Sequence, residues 1–243
     1  MRIIKLDAID STNTFLKEIS SADVIEDFTV VVAKHQTHGK GQMGKIWSVE
    51  RGQNLTFSVF KSITFLSFEN QFCLSMVTAL ALKKTLNAFN IPRLSVKWPN
   101  DILSADKKIG GILIENVINQ NQIVSSIIGV GLNVNQTTFD NLPRATSMKS
   151  LLGNNFDLDE VLQKFIDHLK AYFLILETGK IETIRKEYLS NLFRKNKPST
   201  FKNIEGQLFS GFIKGISKTG NLIVLLEDEI LEEFSLNQIT LLY

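Results

Sequence analysis

The sequence predicts an α+β fold: a mixed or antiparallel sheet with helices over residues 1–195, followed by a small SH3-like β-barrel over residues 198–243. Three observations predict it. Short β-branched runs are interleaved with long amphipathic helical patterns through the first part of the chain. At Lys195-Asn196-Lys197-Pro198 the helical pattern stops and short alternating segments begin, which marks a domain boundary. Between two of the early strand-like runs lies a charged, glycine-rich loop from Lys34 to Trp47.

Length and composition admit this architecture. At 243 residues, with 44% apolar and 21% charged residues and four prolines, the chain reads as an ordinary globular protein able to bury a sizeable core. The formal charge of +2 is too small to imply nucleic-acid or membrane binding, and from Ser199 onward three lysines face six acidic residues. The single cysteine, Cys73, has no internal disulfide partner and sits in an apolar helical pattern, as a core residue does. No secretory signal and no long apolar run is present, so a cytoplasmic location is expected.

In chain order, Ile3 to Leu6 reads as a strand, and Asp10-Ser11-Thr12-Asn13 supplies cap residues for a helix through Ile19. Capping uses one of these side chains. The others either stand spare or receive a polar ligand at a helix N-terminus. Thr29 to Ala33 and Leu55 to Phe60 are strand-like and flank the loop. Gly39, Gly41 and Gly44 let backbone N–H groups approach an anion, and Lys40 and Lys45 add positive charge, although a mobile surface loop has the same composition.

Phe68 to Phe89 predicts a long, mostly buried helix. Leu94 to Trp98 reads as a strand closed by the turn triplet Pro99-Asn100-Asp101, with Ile102-Leu103 continuing it and Ser104 to Lys107 turning it. Lys108 to Glu115 is a further strand, and Asn119-Gln120-Asn121 makes a hairpin into Ile123 to Val134. Glycines weaken strands, so Gly110-Gly111 and Gly129-Val130-Gly131 imply either close ligand approach or a β-bulge. Eight of the 14 glycines fall at 39–44, 52, 110–111 and 129–131, as if several loops and bare strands faced one cavity. Lys97, Asn100, Asp101, Lys108 and Asn133 would be its polar groups.

Asp157 to Glu177 predicts a helix with a cap at Asp157 and Gly179 beyond its end, and Ile181 to Phe193 a second helix beside it. His168 on this pair reads as structural. Five short strands then follow Pro198, separated at Glu205-Gly206, Thr219-Gly220 and Glu227-Asp228.

Four separated motifs together resemble the biotin protein ligases. They are Asp10-Ser11-Thr12-Asn13; Gln36 with Gly39-Lys40-Gly41-Gln42-Met43-Gly44-Lys45-Ile46-Trp47; Lys97-Trp98-Pro99-Asn100-Asp101 with Lys108-Ile109-Gly110-Gly111-Ile112-Leu113; and Gly129-Val130-Gly131-Leu132-Asn133. The resemblance covers nearly the whole chain and implies the class II synthetase-like catalytic fold shared by biotin and lipoate ligases. It implies the activity of a biotin-[biotin carboxyl-carrier protein] ligase, with ATP and Mg²⁺, biotin as substrate, and the carrier protein of acetyl-CoA carboxylase or another biotin-dependent carboxylase as partner. By it, Ser11, Thr12, Asn13 and Gln36 bind the ureido ring, and Gly39, Lys40, Gly41, Gln42 and Gly111 complete the biotin site. Lys108 contacts the reacting carboxylate and α-phosphate, with Lys40 as a second catalytic cation. Lys40, Gln42, Lys45, Trp47, Asn100, Asp101 and Asn133 serve ATP, Asn133 reading the adenine, Trp47 stacking or packing near it, and Asp101 holding Mg²⁺.

One departure is Gly39-Lys40-Gly41 where the family loop reads Gly-Arg-Gly. Lysine keeps the charge and loses the bidentate fork. Only ten residues precede Ser11, so the expectation is a ligase without repressor function and without nucleic-acid or membrane partners. Family behaviour also implies a possible homodimer through the exposed sheet. Two rival readings are a lipoate or octanoate ligase, whose arginine- and glycine-rich motif is missing here, and a non-enzymatic binding module, which leaves the four motifs unexplained.

Overall fold

Period-two alternation sorts the strand residues onto two faces, and that sorting builds the molecule. The computed structural model describes residues 2–120 and 122–243. The first part runs β1 (Ile3–Leu6), α1 (Thr12–Ala22), β2 (Val30–Ala33), β3 (Leu55–Ser62), α2 (Phe72–Ala88), β4 (Leu94–Lys97), β5 (Asp101–Ser104), β6 (Lys107–Asn119) and β7 (Gln122–Leu132). Three helices follow, α3 (Met148–Leu152), α4 (Leu158–Glu177) and α5 (Ile181–Ser190). The last part is β8 (Pro198–Asn203), β9 (Leu208–Ile216), β10 (Leu222–Leu225), β11 (Leu231–Phe234) and β12 (Ile239–Leu242).

The seven early strands form one sheet in the order β1-β2-β3-β7-β6-β5-β4. It is mixed, because β1 pairs parallel with β2 and all other neighbours are antiparallel. Leu55, Phe57 and Val59 of β3, with Ile128, Val130 and Leu132 of β7, face the main core. Helix α2 lies there and is buried almost all round, because it is covered by the sheet below and by α4 and α5 above. Its Cys73 is buried, and burial pushes the thiol up to about 11, which fits a packing residue and not a nucleophile. His168 of α4 is a structural residue too: its Nδ1 lies 3.0 Å from Thr85 Oγ1, and its pKa is lowered, first by burial and then by Lys84 and Lys164.

The opposite face of the sheet carries a small second cluster of Leu16, Val31 and Ile127 under α1. Ser11 caps that helix, its side chain accepting from the Thr14 N–H. Asp157 caps α4 by accepting from the N–H groups of Asp159 and Glu160.

Three local expectations change. Ile102-Leu103 does not continue the Leu94–Lys97 strand: the chain reverses at 98–100, and Lys97 comes to lie opposite Asp101 in an antiparallel pair. The helix expected to reach Phe193 ends at Ser190, because Phe193 N–H instead donates to Val96 O at 2.8 Å. Helix α3, capped by Ser147, was not expected from its five residues. The predicted hairpin keeps Asn119 opposite Gln122, while Asn121 lies outside the described residues.

The five late strands form an antiparallel sheet in the order β11-β10-β9-β8-β12, consistent with a small SH3-like unit, with β11 and β12 as its edges. Its buried Phe201, Ile213, Leu222, Val224 and Ile239 join the same apolar cluster as the large sheet. Trp98 Nε1–H donates to Gly220 O at 2.8 Å and fastens the two sheets together beside the 98–100 reversal.

Candidate active site

On the α1 face the strand register lines up a floor. Thr56 of β3 is opposite Gly131 of β7, Gly131 is opposite Gly111 of β6, Gly111 is opposite Asp101 of β5, and Asp101 is opposite Lys97 of β4. One step along, Ser58 is opposite Gly129 and Gly129 opposite Leu113. The floor is bare where side chains from elsewhere must descend onto it. A Cβ on Gly131 would overlap the Trp47 indole, and one on Gly129 would overlap the Asn13 amide. Close approach, not a bulge, explains these two glycines.

A bulge does occur at the other pair. In the β5–β6 ladder Ile102 faces Gly110 and Leu103 faces Lys108, so Ile109 is an extra residue. Lys108 and Gly111 are three positions apart and would point to opposite faces in a regular strand. The inserted residue brings both to the floor, and the Lys108 ammonium lies 3.1 Å from where a Gly111 Cβ would stand.

Three cavities adjoin along this floor and share walls. The largest, about 550 Å³, is lined by Lys97, Asp101, Lys108, Asn133, Arg144 and Tyr243 among others. A small central one of about 50 Å³ is lined by Ser11, Thr12, Asn13, Gln36, Lys108 and Gly111, and the third, about 450 Å³, by His38, Lys40, Lys45 and Glu115 on the far side of the glycine loop. That loop folds back on itself, with Lys40 bridged to Ile46 and Trp47 N–H donating to Gly39 O at 2.9 Å.

Ser11, Thr12 and Asn13 of the first motif are buried and held. Thr12 N–H donates to Gln36 Oε1 at 2.8 Å, which commits the Gln36 oxygen and leaves its NH₂ to give. Asn13 Nδ2 donates to Glu115 Oε2 at 2.7 Å and Asn13 Oδ1 accepts from Ser58 Oγ at 2.5 Å. Asn13 lines the central cavity with Ser11, Thr12 and Gln36, and both ends of its amide are already engaged within the protein.

In the large cavity Lys108 Nζ is 2.5 Å from Asp101 Oδ1 and Lys97 Nζ is 3.5 Å from Asp101 Oδ2. The Lys97 pKa is lowered, chiefly by burial, with Asp101 acting against that and Lys108 with it. Lys97 and Arg144 both lie over the Tyr243 ring, at 5.1 and 4.5 Å from its centroid. Four cations, Lys45, Lys97, Lys108 and Arg144, thus line this cavity with one carboxylate, Asp101, a charge balance that suits a polyphosphate. Asn100 is tied to β6, its Nδ2 donating to Ile112 O, and Asn133 Nδ2 donates to Thr146 O, which leaves its oxygen as an acceptor.

Lys40 lines the central cavity together with Lys108, and its ammonium donates to Thr14 Oγ1 at 2.9 Å. Trp47 lies in the cleft on the glycine floor beneath Lys108, with its Nε1 buried and without a hydrogen-bond partner among the described residues. Ser58, Glu115, Arg144 and Tyr243 were missed, since each lies on a strand or loop with no local pattern to mark it.

The sequence model of the Biotin/lipoate A/B protein ligase family matches residues 6–133, more than half of the chain. The bifunctional ligase/repressor BirA of Bacillus spizizenii is 32% identical over 169 residues, 68% of this chain and 51% of that protein. The chain thus spans about half the length of that relative. The biotin--[acetyl-CoA-carboxylase] ligase of Paracoccus denitrificans is 28% identical over 222 residues, 88% of this chain and 90% of that one. The structure of the biotin protein ligase from Aquifex aeolicus in complex with biotin and ATP superposes with a TM-score of 0.83 at 26% identity, over 99% of this chain and 98% of that one.

Proposed function

Because this chain belongs to the biotin/lipoate A/B protein ligase family, we propose that it is an ATP-dependent biotin protein ligase. Biotin's carboxylate attacks the α-phosphate of ATP, pyrophosphate leaves, and biotinyl-5′-AMP forms. A lysine amine of a biotin carboxyl carrier domain then attacks the acyl carbon, an amide forms, and AMP leaves. The observation that carries this reading is the polarity of the central cavity. With its oxygen committed to Thr12 N–H, Gln36 offers N–H donors, and Thr12 offers hydroxyl lone pairs. A ureido ring, with a carbonyl to accept and N–H groups to donate, answers both. Lipoate and octanoate answer neither, and would leave the buried Thr12 and the half-buried Gln36 without ring partners.

Lys108 is the residue best placed for the reacting carboxylate and α-phosphate, since it lines both the central and the large cavity. A cation there stabilises charge that concentrates in the transition state. Asn133 and Trp47 serve the adenosine, Gln42, Lys45 and Asn100 the rest of the nucleotide, and the loop of Gly39, Lys40 and Gly41 closes over the intermediate to keep water from the mixed anhydride. Lys40 reaches that position only after leaving Thr14. Among the described residues no cluster of three metal-ligating side chains occurs. Asp101, the one Asp or Glu side chain lining the large cavity, would help the ATP oxygens hold Mg²⁺, and the ion would neutralise phosphate charge there. We assign residues 1–195 to the catalytic domain and 198–243 to a second domain, on the ground that the two sheets share no strand. No helix among the described residues is long and apolar enough to cross a membrane.

The test is ATP–pyrophosphate exchange by the purified protein with Mg²⁺ and biotin, lipoate or octanoate as the sole added acid. Exchange that depends on biotin alone is expected. Exchange with lipoate or octanoate instead would replace the substrate, and no exchange with any acid would overturn the enzymatic reading.

A further inference from the structure

The hydrogen bonds beneath the central cavity run in one direction, and a carboxylate outside the four sequence motifs sets it. Glu115 projects from β6 and lines the third cavity. An ionised carboxylate only accepts, so the Asn13 amide must turn its NH₂ toward Glu115 Oε2, 2.7 Å away, with Leu113 O, a second acceptor, at 3.4 Å. That orientation commits the Asn13 oxygen to Ser58, 2.5 Å away. Ser58 Oγ also stands 2.8 Å from Thr12 Oγ1. A hydroxyl has one proton, and Ser58 has given its own to Asn13, so the proton between Ser58 and Thr12 belongs to Thr12. Among the described residues the other acceptor of that proton is Gln36 Oε1 at 3.0 Å, which also lies within the protein. In either case Thr12 points its proton inward and shows the cavity only lone pairs.

We propose that Glu115 is a specificity-determining positioning residue: through Asn13 it holds the Ser58 proton off Thr12, which leaves the Thr12 lone pairs to an acid whose ring donates an N–H. The inner links of the relay, from Asn13 to Thr12, are dry, while Glu115 at its outer end is half-buried. Thr12, Asn13 and Ser58 are 3%, 4% and 0% exposed, so no bulk water can reverse a link by supplying or taking a proton. Reversed, the Ser58 proton would turn onto Thr12 Oγ1, 2.8 Å away, and take up a lone pair that the ring N–H needs, while the Thr12 proton stays on Gln36. Glu115 itself need not touch the ligand.

The inference rests on the biotin reading and is tested with the same exchange assay. Three variants are compared: Glu115→Leu, Asn13→Asp, and the double variant Asn13→Asp with Glu115→Gln. In the double variant a carboxylate at position 13 still accepts from Ser58 and now also accepts from the amide at position 115, so the relay keeps its direction with the charge moved by one link. Glu115→Leu is expected to raise KM for biotin by about 10- to 100-fold, the range for a lost charge-assisted hydrogen bond. KM for ATP should move by less than about twofold, because uniform binding of the ring alone is removed. Asn13→Asp alone places two carboxylates together and should be at least as impaired. The double variant should recover biotin KM to within about threefold of the unaltered protein.

An unchanged biotin KM in Glu115→Leu overturns the proposal, as does an equal rise in the KM for ATP. So does a double variant no better than Asn13→Asp, and this arm stands even where Glu115→Leu fails to fold. If the unaltered protein shows no biotin-dependent exchange, it is the functional reading that has failed and not the relay.

Discussion

Replacing Gly131 by alanine puts one methyl group into the most crowded point of the floor. The added Cβ would overlap three atoms of the Trp47 indole, so the methyl and the ring cannot both stay. The β7 backbone is held on both sides, by β3 and β6, and Trp47 sits on a loop, so the ring gives way. The cost is limited by what the ring loses on leaving, about 1.5–3 kcal/mol for a large apolar side chain. For a chain of this size that is roughly a 3–12 °C fall in Tm at about 2–4 °C per kcal/mol. The chain has two tryptophans, and the other, Trp98, is fixed to Gly220, so intrinsic fluorescence reports Trp47. A red-shifted emission maximum with a lower Tm is expected, together with a raised biotin KM because the methyl stands on the cavity floor. Gly129→Ala should be worse, since its Cβ would meet the buried Asn13 amide and, at 3.0 Å, the Leu113 carbonyl, neither of which can swing aside. An unshifted spectrum and an unchanged Tm in Gly131→Ala would refute the placement of the indole.

Two further predictions concern single side chains. Lys108→Ala should lower biotin-dependent exchange by about 10²–10³-fold, the usual loss for one transition-state cation or donor. Its stability should fall only modestly, because Lys97 stays 3.5 Å from Asp101, and an unchanged exchange rate would remove Lys108 from the chemistry. Tyr188 is fully buried, and its hydroxyl has no hydrogen-bond partner among the described residues. Burial raises its pKa in the folded state above the ordinary 10.0, so its contribution to stability is complete below that pH and is lost as pH rises past it, when only the unfolded chain ionises. Tyr188→Phe should therefore raise stability by about 1 kcal/mol or more at neutral pH and flatten the decline above pH 10 in urea unfolding, and a destabilised variant would show that the hydroxyl is partnered.

What was legible in the sequence was whatever repeats or caps locally. Alternation in Leu55 to Phe60 and Ile123 to Leu132 sets which residues face the helices. Ser11 and Asp157 announce helix starts, and Lys195 to Pro198 marks where helical spacing ends. The glycine clusters and the four motifs gave the site's residue types, because a ligand-binding floor needs bare strands and polar loops wherever the chain places them.

The tertiary structure decided which of these residues meet, since that depends on register and on contacts between distant parts of the chain. Ile109 bulges because the β5–β6 ladder shifts there, and only that shift turns Lys108 to the same face as Gly111. Asn13 reads as a ligand residue in its motif, yet its amide is held by Glu115, 102 positions away, and by Ser58. Trp47 settles on Gly131 because two strands far apart in sequence bring a bare floor beneath its loop. Hydrogen-bond direction at Ser58 likewise follows from a carboxylate fixed by strand pairing, and no local pattern encodes the sense in which a proton points.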